Sequence, residues 1–348
     1  TPTQTSSLGT DRTAVAITGG DYHTCAILDD GSVSCWGYNY YGGLGDGTNT
    51  QRTTPTQTSS LGTDRTAVAI TAGKYHTCAI LDDGSVSCWG WNQYGQLGDG
   101  TTTDRNTPTP TSSLGTDRTA VAITAGDLYT CALLDDGSVS CWGNNGYGGL
   151  GDGTTTSRNT PTQTSSLGTD RTAVAITAGR YHTCAILDDG SVSCWGRNAY
   201  GRLGDGTTTD RLTPTQTSSL GTDRTAVAIT AGHAHTCAIL DDGSVSCWGN
   251  NDDSQLGDGT TTDRNTPTPT SSLGEGRTAV AISGGANHIC AILDDGSVSC
   301  WGWNQYGQLG DGTTTDRNTP TQTSSLGTDR TAWRNIKSIQ VSERDYDN

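Results

Sequence analysis

Residues 76–90 read HTCAILDDGSVSCWG, two short β-prone runs on either side of an Asp-Asp-Gly turn. Nearly the same stretch recurs five more times, and the first cysteine of each copy lies 53 residues after the previous one. No copy carries an insertion or deletion relative to the others. The chain is therefore one unit repeated in tandem, with copies that start near residues 14, 67, 120, 173, 226 and 279.

The turn predicts how the cysteines pair. A three-residue hairpin loop ends in a residue with left-handed backbone conformation, normally glycine, which makes residues 29–31 the loop of the first copy. Counting outward from that loop, Cys25 faces Cys35, within reach of a disulfide. The same pairing is expected in every copy, for Cys25, Cys35, Cys78, Cys88, Cys131, Cys141, Cys184, Cys194, Cys237, Cys247, Cys290 and Cys300. Six such bridges indicate an oxidising compartment.

A rival interpretation of the same residues is a set of metal sites. A histidine precedes the first cysteine by two residues in five of the six copies, and residues two apart share one face of a strand. The third copy argues against metal binding, because Tyr129 replaces the histidine while Cys131 and Cys141 remain. We expect the histidine to be a hydrogen-bonded packing residue and expect no metal site there.

Each unit reads as three strands and a weak fourth. In the second copy the strands are 67–71, 77–81 and 85–89, and 107–109 follows after a glycine-rich loop. Pro108 restricts the fourth strand to a sheet edge. Units of this kind predict an all-β fold, a single β-propeller over residues 1–348 with six complete blades and a partial seventh unit at 319–348. A closed ring of six blades and a segment of a longer array stay open as alternatives.

Residues 73–100 read GKYHTCAILDDGSVSCWGWNQYGQLGDG and closely resemble the repeat of the regulator of chromosome condensation family. The likeness recurs in all six copies and covers nearly the whole chain. It implies a propeller, commonly of seven blades. The cysteine pair departs from the eukaryotic pattern and resembles the variant of secreted bacterial members.

The copies differ mainly in two places, the turn before the histidine and the loop after Trp-Gly. In an antiparallel meander both connections lie at the same end of the blade, so the variable positions share one face of the ring. A face that varies in Tyr, Trp, Arg and His is typical of a binding surface, although neutral drift in exposed loops is the alternative. The predicted binding face contains Tyr22, Tyr38, Tyr40, Tyr75, Trp91, Leu128, Asn144, Arg180, Tyr181, Arg197, Arg202, His233, Asn250, Asn287 and Trp303.

Charge and composition narrow the function classes. The chain has 20 basic and 36 acidic residues, a net charge of -16, which disfavours nucleic acid and anionic lipid as partners. No apolar run is long enough for a transmembrane helix. The chain begins at Thr1 and is interpreted as a mature or excised segment.

The sequence contains no recognisable catalytic motif, and we expect no catalytic residue, metal or cofactor. Calcium binding at residues 98–104 is a weaker alternative to a turn-forming role for the carboxylates there. The main hypothesis is a secreted or cell-surface, non-enzymatic protein with a binding or structural role, whose partner is a protein, a glycan or a second copy of itself. Alternatives are a subunit of a self-assembling extracellular filament or sheath, and an inhibitor of an extracellular enzyme. A guanine-nucleotide exchange factor or chromatin binder is the least supported alternative, because twelve paired cysteines do not suit the cytosol.

Overall fold

The computed structural model describes residues 5–324, and they form six four-stranded antiparallel sheets, the blades of a β-propeller. Blade 1 contains β1 (Ala14–Gly19), β2 (His23–Leu28), β3 (Val33–Gly37) and β4 (Arg52–Gln57); blade 2 contains β5 (Ala67–Ala72), β6 (His76–Leu81), β7 (Val86–Gly90) and β8 (Arg105–Pro110); blade 3 contains β9 (Ala120–Ala125), β10 (Tyr129–Leu134), β11 (Val139–Gly143) and β12 (Arg158–Gln163). Blade 4 contains β13 (Ala173–Ala178), β14 (His182–Leu187), β15 (Val192–Gly196) and β16 (Arg211–Gln216); blade 5 contains β17 (Ala226–Ala231), β18 (His235–Leu240), β19 (Val245–Gly249) and β20 (Arg264–Pro269); blade 6 contains β21 (Ala279–Gly284), β22 (His288–Leu293), β23 (Val298–Gly302) and β24 (Arg317–Gln322). Each blade is a meander in which strands pair in chain order. One 3-10 turn, Ala199–Gly201, interrupts the loop between β15 and β16.

The predicted hairpin register is confirmed. Cys25 lies opposite Cys35, Gly31 has a φ of 76°, and the Leu28 amide donates to the Ser32 carbonyl at 2.8 Å. All six predicted disulfides are formed, and no cysteine is free. The bridges occupy the sulfur atoms that the rival metal interpretation required. The predicted weak fourth strand is also present, and it pairs with the third strand only, at the outer edge of the blade.

The hydrophobic core lies between blades rather than within them. At the interface of blades 1 and 2, Leu44 packs in one cluster with Ala67 and Trp89. A Cβ on Gly45 would lie only 2.8 Å from the indole nitrogen of Trp89, so this approach requires glycine. Equivalent clusters join every consecutive pair up to blades 5 and 6. Burial of one tryptophan per interface supplies the apolar area that the small side chains of the strands lack.

The two ends of this series differ from its middle. Ala67 and its four later equivalents are 4% exposed, whereas Ala14 of blade 1 is exposed. Of the predicted partial unit at 319–348, residues 319–322 belong to β24 of blade 6. The remainder of that unit from residue 325, and the first Thr-Pro segment at residue 2, lie outside the described residues. Within 5–324, no helix has the length and apolar character needed to cross a bilayer.

A buried pair of a histidine and a threonine joins blades 1 and 2, blades 2 and 3, and blades 4 and 5. His23 Nε2 lies 2.7 Å from Thr77 Oγ1 of the next blade, and Thr77 donates its hydroxyl proton to the Gly43 carbonyl at 2.8 Å. His23 must therefore donate through Nε2–H, since the hydroxyl has only one proton. Burial lowers the pKa of His23 to about 4, so the ring stays neutral at neutral pH. The hydrogen-bonded packing role predicted for the histidine is confirmed for His23, His76 and His182, and we call this pair the His–Thr lock. His235 is buried but both of its ring nitrogens lack a hydrogen-bond partner within residues 5–324, and Ile289 stands where the other copies have the threonine.

Candidate functional site

The two variable segments of each blade meet at one end of the ring. In blade 1 the Tyr38 amide donates to the Tyr22 carbonyl at 2.9 Å, which ties the loop after Trp-Gly to the turn before the histidine. The equivalent bond occurs in the other five blades, at 2.8 to 3.0 Å. The surface formed by these two segments in all six blades is called the variable face below. Its position at one end of the propeller agrees with the meander argument.

A repeated polar network holds each loop of the variable face. Asn92 donates to Asp99 and to two threonine carbonyls, while its own carbonyl accepts the Leu97 amide at 2.9 Å. Asp99 also pairs with Arg105 at 2.7 Å. Burial opposes ionisation of Asp99, but the hydrogen bonds from Thr101 and Arg105 outweigh it and lower the pKa. Both carboxylate oxygens are therefore committed to protein donors, and the geometry gives the calcium alternative no support.

Blades 1 and 2 carry a continuous set of aromatic side chains on the variable face, named the tyrosine ridge. Tyr22 and Tyr75 stack with centroids 5.1 Å apart and an interplanar angle of 5°. Tyr75 contacts Trp91 edge to face at 5.8 Å, and Lys74 lies over both stacked tyrosines. The full ridge is Tyr22, Tyr38, Tyr40, Tyr41, Tyr75, Trp91 and Tyr94.

The ridge combines rigidity with exposure. Its rings contact one another at centroid distances of 5.0 to 6.4 Å, so each is held by its neighbours. Burial is the main cause that raises the pKa of Tyr75 well above its usual value, and a hydrogen bond with Tyr22 adds to it. In contrast, the side chain of Tyr40 is 65% exposed. Large, rigid and partly exposed aromatic rings are the side chains that most often dominate protein interfaces.

Blades 3 and 4 carry a second feature of the variable face, the arginine patch, formed by Arg180, Arg197, Arg202, Tyr147 and Tyr181. Arg197 lies 4.7 Å above Tyr147 and 5.7 Å from Tyr181, whose rings are 5.0 Å apart. Arg180 also contacts Tyr181, at 5.3 Å. Arg202 is 2% exposed and donates to the carbonyls of Ala199 and His233. Burial, together with the charge of Arg197, lowers the pKa of Arg202 to about 10, so it remains charged at neutral pH.

The central channel opens on the variable face among side chains of alternating charge. The channel has a cavity of about 90 Å³ and is lined by residues of all six blades. Asp21, Asp127 and His233, from blades 1, 3 and 5, bring ligand-type atoms within 4.8 Å of one another. Arg180 pairs with Asp127 at 2.8 Å. Burial, with the charges of Arg180, Lys74 and Arg202, lowers the pKa of His233 to about 3.

The cluster of Asp21, Asp127 and His233 has the donor atoms of a metal site, but the positive side chains around it disfavour a cation. A divalent cation there would face Lys74, Arg180 and Arg202, and it would compete with Arg180 for Asp127. The arrangement is better described as a set of acidic and basic side chains that neutralise one another at the mouth of the channel.

The predicted binding-face residues fall into four groups. Tyr22, Tyr38, Tyr40, Tyr75 and Trp91 are in the tyrosine ridge; Arg180, Tyr181, Arg197 and Arg202 are in the arginine patch, with Leu128 and Asn144 beside it; His233 is at the channel mouth; Asn250, Asn287 and Trp303 are on blades 5 and 6. Asn250 is only 8% exposed and donates a hydrogen bond to Asp252. Trp303 contacts Tyr306 at 5.2 Å, apart from the ridge.

Differences between the repeat copies do not reveal every residue of the variable face. Tyr41, Tyr94 and Tyr147 occupy a position that is tyrosine in five of the six copies, so a search for differences passes over them. Asp21 and Asp127 vary between copies, but nothing in one copy shows that they meet across the channel. The sequence does contain a signal for the three tyrosines, because each is an aromatic residue inside a glycine-rich loop. It contains no such signal for the two aspartates.

Comparison with known proteins places the chain in a family. The family model described as the RCC1-like domain matches residues 1–343. The chain is 35% identical over 312 residues to the ultraviolet-B receptor UVR8 of Arabidopsis thaliana, which is 89% of this chain and 70% of UVR8. It is 32% identical over 316 residues to the human E3 ubiquitin-protein ligase HERC2, a match over 90% of this chain and 6% of HERC2.

Solved structures show the same fold. Human WBSCR16 superposes with a TM-score of 0.81 at 20% identity, over 92% of this chain and 83% of that one. Yeast RCC1 (Prp20), solved with Kap60, superposes with a TM-score of 0.78 at 20% identity, over 90% of this chain and 75% of that one.

Proposed function

Because the chain belongs to the RCC1-like domain family of β-propellers, we propose that it is a secreted or cell-surface, non-enzymatic binding protein that engages a partner protein through its variable face. The propeller supplies a rigid frame, and the loops at one end supply the contacts. Yeast RCC1 (Prp20), which shares this fold, was solved bound to Kap60. Fold alone does not assign function, so the proposal depends on the surface of this chain.

The observation that carries the proposal is the distribution of cations and aromatic residues. Two arginines in every repeat pair with aspartates of the same repeat, as Arg12 does with Asp30 at 2.6 Å and Arg52 with Asp46 at 2.7 Å. The other basic residues within 5–324 are Lys74, Arg180, Arg197 and Arg202. All of them lie on the variable face beside half-buried or exposed tyrosines. Unrepeated arginine and aromatic side chains thus concentrate on one surface, which is the composition of interface hot spots.

The disulfides support the extracellular part of the proposal. Each bridge spans ten residues, and the cysteines of blades 1 to 5 are fully buried. Structural bridges of this kind form and persist where the environment is oxidising.

The partner proposal is tested by binding of the fluorescent protein to the surface of the cells that produce it. A ridge variant, Tyr40→Ala with Trp91→Ala and Tyr94→Ala, is compared with an opposite-face variant, Arg224→Gln, whose arginine pairs with Asp241 and Asp242. We expect saturable binding that the ridge variant loses and the opposite-face variant keeps. Equal binding by both variants, or protein that accumulates in the cytosol with free thiols, contradicts the proposal.

A further inference from the structure

We propose that the arginine patch is a receptor for the carboxylate side chains of a short acidic segment on the partner protein. The proposal rests on the binding function of the variable face and adds the chemistry of its partner. It assigns the contact to Arg197, with the buried Arg202 as a second positive charge of the same patch.

The charges of the arginine patch are incompletely neutralised. Asp127 pairs with Arg180. Burial alone would lower the pKa of Arg180, but the charge of Asp127 outweighs it and the pKa is raised. In contrast, Arg197 and Arg202 have no carboxylate within 4.0 Å among residues 5–324. Arg202 is almost fully buried and is bonded only to backbone carbonyls. Asp210 offsets part of the charge of Arg202. Within the described residues no carboxylate pairs with the half-buried Arg197, so a carboxylate brought by a partner would find favourable interactions at its guanidinium.

The geometry around Arg197 suits the binding of a carboxylate. Arg197 is held over Tyr147 and Tyr181, so its guanidinium loses little conformational freedom when a ligand binds. A planar guanidinium presents paired N–H groups that match the two oxygens of a carboxylate. Tyr147 is 40% exposed beside it and offers an apolar ring to the methylene groups of an aspartate or glutamate. Arginine at this position is specific to the fourth copy, where the others have Tyr38, Trp91, Asn144, Asn250 and Trp303.

The net charge of the whole chain limits the size of the anionic ligand. The chain has a net charge of -16, which repels long polyanions such as nucleic acid or sulfated glycan at a distance. Within about 10 Å, the Debye length at 0.1 M salt, the local arginines dominate instead. A short segment with a few acidic residues is therefore the class of anion that this surface accepts best.

The experiment measures fluorescence anisotropy of a labelled heptapeptide that contains three glutamates, titrated with the full chain. Its counterpart with three glutamines is the control peptide. We expect the glutamate peptide to bind more tightly than the glutamine peptide, and the affinity to fall as salt rises. Arg197→Gln should weaken binding by about tenfold or more, because a hydrogen-bonded charge pair is lost. Arg197→Lys should weaken it less, and Arg224→Gln on the opposite face should leave it unchanged.

Unfolding temperatures of the variants establish that they are folded, which Arg197 permits because it is only half-buried. Equal binding of the two peptides, or binding that Arg197→Gln does not weaken, overturns the inference. Binding of heparin in preference to the glutamate peptide also overturns it, since the ligand would then be a sulfated glycan. The cell-surface assay separates the two levels of the argument. If Arg197→Gln binds cells normally while the ridge variant does not, the acidic-segment inference fails and the proposed function stands.

Discussion

The His–Thr lock predicts a specific stability difference between two threonines at the same position of the repeat. Thr77 is fully buried, accepts from His23 of the preceding blade and donates to Gly43. Thr77→Val keeps the shape of the side chain and removes both bonds. A buried donor or acceptor left without a partner costs about 1–3 kcal/mol, so loss of both bonds should cost about 3 kcal/mol.

Thr24 is the matched control, because it occupies the same strand position in blade 1 and its side chain forms no hydrogen bond among the described residues. Thr24→Val should change the free energy of unfolding by about 0.5 kcal/mol or less. Guanidinium unfolding followed by tryptophan fluorescence measures both variants, and thermal unfolding should show a loss of several degrees for Thr77→Val alone, at about 2 °C per kcal/mol. Equal midpoints for the two variants would refute the lock as a stabilising contact between blades.

Three further predictions concern the rest of the frame. Removal of one bridge by Cys78→Ala with Cys88→Ala should destabilise the folded protein by about 3 kcal/mol, estimated for its short loop, and an unchanged denaturation midpoint would contradict this. Burial lowers the pKa of His76 and His235 to about 3, below the unfolded value of 6.5, so the stability they contribute is complete above pH 6.5 and declines as pH falls from there towards 3. The unfolding temperature should therefore drop between pH 7 and pH 5, with a smaller drop in His76→Gln, and a flat profile argues against neutral buried histidines. Ser254 has a φ of 67° at a position where the other copies have glycine. Ser254→Gly should therefore raise the free energy of unfolding, measured by denaturant titration, by about 0.5–1 kcal/mol. A decrease would show that contacts of the serine side chain outweigh its backbone strain.

The blade could be predicted from sequence because its information is local. The turn at residues 29–31 fixes the hairpin register, and the register brings Cys25 opposite Cys35. Pro108 restricts the fourth strand to an edge, where the structure places it. Strict repetition then extends one correct blade to six.

The contacts between blades could not be predicted in the same way. The His–Thr lock joins residues 54 positions apart. The sequence of a single copy does not indicate that His23 contacts Thr77 of the next blade and not a residue of its own blade. The convergence of Asp21, Asp127 and His233 requires the curvature of the whole ring. The tyrosine ridge was predicted only in part, because its repeated members, such as Tyr41, do not differ between copies.

The central claim is that the variable face, and not the repeated opposite face, makes the functional contact. The most direct measurement is saturable binding of the labelled protein to its producing cells, with variants on each face compared at equal unfolding temperature. We expect Tyr40→Ala with Trp91→Ala and Tyr94→Ala to abolish binding and Arg224→Gln to leave it unchanged. Binding that survives the ridge variant and is lost in Arg224→Gln would show that the opposite face makes the contact.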